Sequence, residues 1–377
     1  MLTRLSQLTA GQWSQPPDPA LNGPTTLVLA FSASSALDDP ADVESVVRLF
    51  PDSVVVGCST AGEILAGTVS DETVTVAVTR FDHTQLRAAN SPLSAAADSY
   101  RCGTELASEL AGEELRAVLV LAPGLQVNGS ELVRGLTDAL PHGVLITGGL
   151  SGDGDKFAHT WVLADGQPAE GIATAVGFYG NRLRVGHGSR GGWVGFGPER
   201  TVTRSVGNVL FELDGRPALE LYKSYLGELA AQLPGSGLRF PLALRESDTT
   251  ERQLVRTVLA VDEDAQSMTF AGDIPQGWCA QLMRASSDQL LDGAEGAALA
   301  AAQRGEDGPV LAVAISCVGR RMVLGEGADE EVEATLATFP EGSAQVGFYS
   351  YGELSPVASG PCELHNQTMT LTTFHET

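Results

Sequence analysis

The stretch TTLVLAFSASSALDDPADVESVVRLFPDSVVVGCSTAGEIL, Thr25–Leu65, decides the fold. It opens on TTLVLAFS, a continuous apolar run of the kind found in strands buried on both faces, and such strands pair in parallel. A polar loop comes next, and then Val43, Val46, Val47 and Phe50 recur at helical spacing, giving one apolar helix face. Asp39 and Pro40 suit the helix start, because a side-chain oxygen satisfies free amides and proline has no N–H to satisfy. Pro51 ends the helix by pushing the residue before it out of helical geometry. A second apolar strand then runs into the glycine-rich turn GCSTAGE.

The same grammar recurs at Arg116–Gly154 and Gly308–Leu354, so the chain carries a threefold internal repeat. RAVLVLAP and GPVLAVAIS open the later units, and Leu132, Val133, Leu136, Leu140 and then Val332, Leu336, Phe339 form their helix faces. Asn128 with Glu131 starts the second helix, and Pro141 and Pro340 stop the second and third. The second strands end in VLITGGLSGDG and AQVGFYSYGEL, and the first and third turns align as G-x-S/Y-x-x-G-E. Past each turn, DETVTVAV, AHTWVLAD and NQTMTLTT alternate threonine with apolar residues and predict one further strand. Helices are expected near Ala95–Leu110 and Ser287–Gln303, and a hairpin in QLVRTVLAVDEDAQSMTF. The fold class predicted is α/β, a duplicated two-domain architecture of repeated β-loop-α-β-turn-β units with helices packed on sheets. The boundary falls near Arg190–Arg204, where GGWVGFGPER is rich in glycine and contains Pro198.

Composition narrows the function. At 377 residues the chain fits two domains with substantial cores, and 43% hydrophobic content reads as globular. The 23 Lys and Arg against 47 Asp and Glu leave a net charge of −24, a field that repels nucleic acid and anionic membranes. No apolar run approaches the roughly 18 residues of a membrane span, and the N-terminus lacks the apolar core of an export signal, so a cytoplasmic protein is expected. Cys58, Cys102, Cys279, Cys317 and Cys362 are scattered, without metal-type spacing, which fits reduced thiols.

In an open α/β sheet, ligands bind beyond the carboxyl ends of the parallel strands, which is where the three turns fall. Gly57, Gly62, Gly149 and their neighbours can aim amides at an anion, with hydroxyls from Ser59, Thr60, Ser151 and Ser350. Cys58, Tyr349 and Tyr351 stand beside them in the turn motifs, and Glu63, Asp153 and Glu353 can accept from an ammonium. His365, Asn366 and Gln367 add mixed donors and acceptors just past the third turn. The set suits an amino-acid-like zwitterion, and the plainer alternative is that these residues only close tight turns. No catalytic residues are assigned; Cys58 as the nucleophile of a hydrolase or transferase is the enzymatic alternative. GDGDKF lacks the closing Glu of a calcium loop, and neither a P-loop nor a dinucleotide fingerprint is present.

VVVGCSTAGEI, GGLSGDG, VTRSVGNVLFELDGRPALELYKSYLGE, AISCVGRR and GFYSYGEL with HNQTMTL together resemble the FIST family, across its N-terminal and C-terminal domains. On that resemblance residues 1–24 are an N-terminal extension, 25–195 the FIST N-terminal domain and 196–377 the FIST C-terminal domain. It implies a sensory module of bacterial signal transduction that binds small ligands such as amino acids and serves a histidine kinase, cyclase or chemotaxis component. With no output domain expected in the flanking residues, the chain is expected to act through a separate protein. Its layout is similar to that of haem-containing nitric-oxide sensors of the family, which implies haem as an alternative ligand; His187 and His159 are the axial candidates. A homodimer through edge strands is a further expectation.

Overall fold

The computed structural model describes residues 1–247, 253–302, 308–356 and 360–377. Gln303, expected at the end of a helix, lies outside the described residues. The helices are α1 (Ala41–Leu49), α2 (Ser99–Leu110), α3 (Gly129–Ala139), α4 (Ala218–Leu226), α5 (Ser287–Ala302), α6 (Val318–Leu324) and α7 (Ala328–Leu336). Asn128 caps α3 as expected, its carboxamide oxygen accepting from the amides of Ser130 and Glu131. The third-unit helix was expected to run to Pro340, but α7 stops at Leu336 and single turn bonds, Thr338 N to Thr335 O and Phe339 N to Leu336 O, carry the chain on.

Each repeat unit builds one sheet around a parallel pair. Thr26–Ser32 pairs with Val54–Ser59, Leu115–Ala122 with Leu145–Leu150, and Leu311–Cys317 with Ala344–Ser350. In each sheet the first strand of the pair also takes an antiparallel neighbour: Val74–Arg80, Ile172–Tyr179 and Met369–Glu376 respectively. AHTWVLAD, expected to supply that strand in the second unit, instead contributes Val162–Ala164 to another sheet. The reason is the second turn, whose longer loop displaces every later element of that unit along the sequence.

The short hairpin after each turn leaves the sheet of its own unit. Glu63–Leu65 with Thr68–Ser70, after the first turn, adds to the third sheet. Val162–Ala164 with Gln167–Ala169, after the second, adds to the first. Gly352–Pro356 with Cys362–His365, after the third, adds to the second. The far edges are exchanged in the opposite sense. Gln85–Pro92 continues from the first unit into the second sheet, and Leu183–Arg190 from the second unit into the third. Leu2–Thr9, from the segment set apart on the sequence as an extension, fills the matching edge of the first sheet against Val74–Arg80. The connectivity is therefore a closed threefold ring, and the chain ends meet: the Met1 amine lies 3.8 Å from the Glu376 carboxylate.

One face of each sheet turns inward to a shared core that includes Phe31 and Val56, Leu119 and Phe178, and Ile315 and Phe348. Phe31 and Phe348 meet at 4.8 Å between ring centroids across two sheets, and Phe178 stacks on Phe374 at 4.6 Å. The outer faces carry the helices, as the amphipathic spacing required, with α1 on the first sheet, α2 and α3 on the second, and α5 and α7 on the third. The described residues between 194 and 284 form a fourth, antiparallel sheet with α4 and a core of its own that includes Leu210, Tyr222 and Phe270. The expected hairpin lies there as Val258–Asp262 against Ser267–Phe270.

Three glycines mark the equivalence of the units. Gly57, Gly148 and Gly347 each face a residue of the parallel partner strand, and a Cβ there would lie 1.8, 1.9 and 1.7 Å from the carbonyl oxygens of Ala30, Val120 and Ala314. Only a residue without Cβ permits that approach. Gly347→Ala is expected to lower the urea midpoint by an amount equivalent to about 3 kcal/mol or more, the range of severe overpacking. Gly23→Ala, where a Cβ meets nothing within 4 Å, is expected to leave the midpoint unchanged.

Candidate functional site

The strand exchange brings the three turns together. Ala61 N donates to Tyr349 O at 2.8 Å and Tyr349 N to Gly62 O at 2.9 Å, joining the first turn to the third. Gly152 N donates to Ser59 O at 3.1 Å and Ser59 N to Trp161 O at 3.0 Å, joining the second to the first. Tyr351 N donates to Leu150 O at 3.1 Å and closes the circuit. Beside this junction opens a cavity of about 460 Å³, within the range of small-molecule sites.

Of the residues singled out on the sequence, Thr60, Gly62, Glu63 and Asp153 line the cavity. Gly57, Cys58, Ser59, Gly149, Ser151, Tyr349, Ser350, Tyr351 and Glu353 belong to the junction behind it and are buried. Cys58 is fully buried in the shared core, and burial pushes its thiol well above the ordinary range, the reverse of what a nucleophilic thiolate needs. The third-turn set His365, Asn366 and Gln367 lies apart from the cavity, and Asn366 and Gln367 dock the fourth sheet. The Gln367 amide donates to Leu238 O at 2.9 Å and to the Thr257 hydroxyl at 3.0 Å, while Thr257 N donates to the Asn366 oxygen at 3.4 Å. His365 bonds Ser355 O at 2.9 Å.

Glu63 and Glu353 are internal staples. Glu63 accepts from the Thr60 hydroxyl, the Thr73 amide at 3.1 Å and the Thr73 hydroxyl at 2.9 Å. Glu353 repeats the set with the Ser350 hydroxyl at 2.7 Å, the Thr368 amide at 3.1 Å and the Thr368 hydroxyl at 2.8 Å. In both cases an exchanged strand is tied to the start of the strand that returns to the unit's own sheet. Register places Val162 in the second unit where the others have glutamate, since Val162 pairs with Cys58, Glu63 with Phe348 and Glu353 with Gly149. Asp153 serves a separate purpose: it gathers the amides of Phe157, Ala158 and His159 at 2.8–3.0 Å and accepts from the Tyr351 hydroxyl, folding the loop that brings Lys156 to the cavity.

The cations of the cavity were not anticipated. Arg321, on α6, donates to Ala61 O at 2.6 Å and makes two 2.7 Å bonds to the Asp71 carboxylate, with its guanidinium 5.6 Å from the centre of the Tyr349 ring. Gly62 makes room for it, as a Cβ there would lie 2.5 Å from the guanidinium. The neighbouring Arg320 points the other way and fixes α6. Fully buried, it pairs with Glu331, which also accepts from Ser316 at 2.9 Å and Tyr349 at 2.8 Å, and it donates to Leu290 O at 2.7 Å. A buried pair is stable when its remaining donors and acceptors are satisfied in this way. Lys156 stands 3.9 Å from Glu72, and Asp155 and Ser34 complete the polar lining against Val318 and Met322. The signal available was the RR dipeptide of AISCVGRR, in a chain with few basic residues.

The haem candidates separate clearly. His159 is a surface residue whose side chain is 67% exposed and paired with Glu170 at 3.1 Å. His187 is buried and lines a different cavity, of about 570 Å³, with Leu140, Val144, Ile146 and Pro356. Among the described residues, no group of three or more His, Cys, Asp or Glu is placed to hold a metal ion, and no helix is long and apolar enough to cross a membrane.

The three sheets form an α/β ring with a charged cavity at its strand ends. The FIST N domain matches residues 26–216 and the FIST C domain residues 218–356, and the chain belongs to the FIST family, whose domains are associated with sensing in signal transduction. Comparison with curated proteins returns no match. The cavity draws Thr60, Glu63 and Lys156 from the first matched region and Arg321 from the second.

Burial raises the Glu63 and Glu353 carboxyls to about 7, against ordinary values of 4.5. A raised native value means these groups stabilise the fold fully below pH 4.5 and lose that contribution as the pH rises through about 7. Relative to the wild type, Glu353→Gln is therefore expected to gain on the order of 3 kcal/mol in urea unfolding between pH 5 and pH 8. Parallel stability curves for the two proteins would show that Glu353 does not titrate there.

Proposed function

We propose that this protein is a small-molecule sensor that binds an amino-acid-like ligand in the cavity at the strand ends and regulates a separate output protein. The observation that carries this reading is that Arg321 and Lys156 line one cavity of about 460 Å³ together with Asp71, Glu72 and Asp155. A guanidinium takes a carboxylate through two parallel bonds, and neighbouring acids take an ammonium. The buried Arg320–Glu331 pair supports the reading, since it holds α6 still and lets Arg321 be presented without reorganisation. A histidine kinase, cyclase or chemotaxis component is the class of partner the family association favours.

A thermal-shift panel of amino acids and related zwitterions tests the reading. A ligand at about 100 times its Kd is expected to stabilise the wild type by about 2.7 kcal/mol, and Arg321→Gln to lose that shift while remaining folded. A panel in which no zwitterion moves the wild type, or in which Arg321→Gln responds equally, removes the proposal.

Haem is a second reading, favoured by one observation: the buried His187 lines a cavity of about 570 Å³ together with Leu140, Val144 and Ile146. His187 would be the axial ligand and the haem iron would supply gas binding. His159, exposed and paired with Glu170, does not suit that role. Protein titrated with haemin is expected to develop a Soret band that His187→Ala abolishes. A flat wild-type spectrum would leave the zwitterion reading alone.

A further inference from the structure

We propose that Asp71 is an internal stand-in for the ligand's carboxylate: it occupies Arg321 in the resting protein, and a ligand carboxylate displaces it to bind. The proposal rests on the cavity being the ligand site and adds what the ligand must carry and what its arrival sets free. Asp71 meets Arg321 through Nη1–Oδ1 and Nη2–Oδ2, both at 2.7 Å, the fork-to-fork arrangement by which a guanidinium recognises a free carboxylate.

The two partners are unequally held. The Arg321 side chain is 24% exposed and fixed by Ala61 O, the Tyr349 ring and the anchored helix; the Asp71 side chain is 64% exposed. Asp71 is therefore the partner that can leave. A ligand carboxylate that makes the same two bonds and adds further contacts in the cavity can replace it.

The backbone beside Asp71 is strained. Glu72 has φ +55°, in the left-handed region that a long side chain adopts only when its surroundings impose it. It sits between two fixed points, Asp71 on Arg321 and Thr73 on Glu63, with its own carboxylate bonded to the Ser35 hydroxyl at 2.9 Å. Displacing Asp71 removes one of these points and lets residues 71–72 relax, which makes occupancy of the cavity visible on the protein surface.

Acetate is the probe, because it carries the carboxylate and nothing else. Melting temperatures are measured for the wild type, Asp71→Ala and Asp71→Ala/Arg321→Met across an acetate series, with chloride holding ionic strength constant. Asp71→Ala is expected to gain a saturable stabilisation by acetate with a half-point at least tenfold below any wild-type response, and the double variant to show none. Equal responses of wild type and Asp71→Ala, or the same response in the double variant, overturn the proposal. Should Asp71→Ala fail to fold, Asp71→Asn keeps the shape without the charge and is expected to show the same tenfold difference. Failure of the amino-acid panel alongside success with acetate would refute the zwitterion while leaving the internal carboxylate standing. A successful panel with no acetate difference would do the reverse.

Discussion

The structure depends on a circuit of backbone hydrogen bonds among three turns that belong to three different sheets. Each turn hands its strand to a neighbouring sheet, so none of the sheets is complete without residues from another unit. Buried amides and carbonyls must be paired, and at this junction the partners of Ser59, Ala61, Gly152, Tyr349 and Tyr351 all come from a different turn. The glycines at 57, 148 and 347 let the strands approach closely just before the crossing, and Glu63 and Glu353 tie two of the exchanged strands back to their own units. The shared aromatic core arises from the same constraint, because three sheets joined at their strand ends must turn one face toward each other.

The second unit departs from the pattern, and the departure builds the cavity. Where the other units place glutamate, it places Val162 after a longer loop, and that loop folds around Asp153 to bring the exposed Lys156 to the edge of the cavity. Opposite stands α6, a short helix that enters the cavity with Arg321 because Arg320 is locked into the core beside it. The site is thus built where the repeat is broken, and it joins the regions matched by both FIST domains.

Much of the architecture was legible in the sequence. Continuous apolar runs identified the parallel pairs, prolines and Asn128 bracketed helices, and the three repeats are the three sheets. The exchange of strands was not legible, because periodicity tells a strand from a helix but carries no information on its partner; that is why AHTWVLAD was aligned with the wrong strand. The candidate site was legible in part. Thr60, Gly62, Glu63 and Asp153 line the cavity, whereas Asn366 and Gln367 hold the fourth sheet and His365 bonds within its own hairpin, since adjacency to a turn in sequence does not fix which side of the turn a side chain faces. Arg321 escaped notice because α6 is too short to show helical periodicity, and Asp71 because an acid in a loop reads as solvent-exposed.

The three turns form one cooperative junction on which the cavity is mounted. Residue-resolved native hydrogen exchange tests it most directly. The amides of Ser59, Ala61, Gly152, Tyr349 and Tyr351 are predicted to exchange together, at the slowest rate in the ring and with the denaturant dependence of global unfolding. Exchange of any one turn by an independent local opening, faster than the other two, would contradict the account.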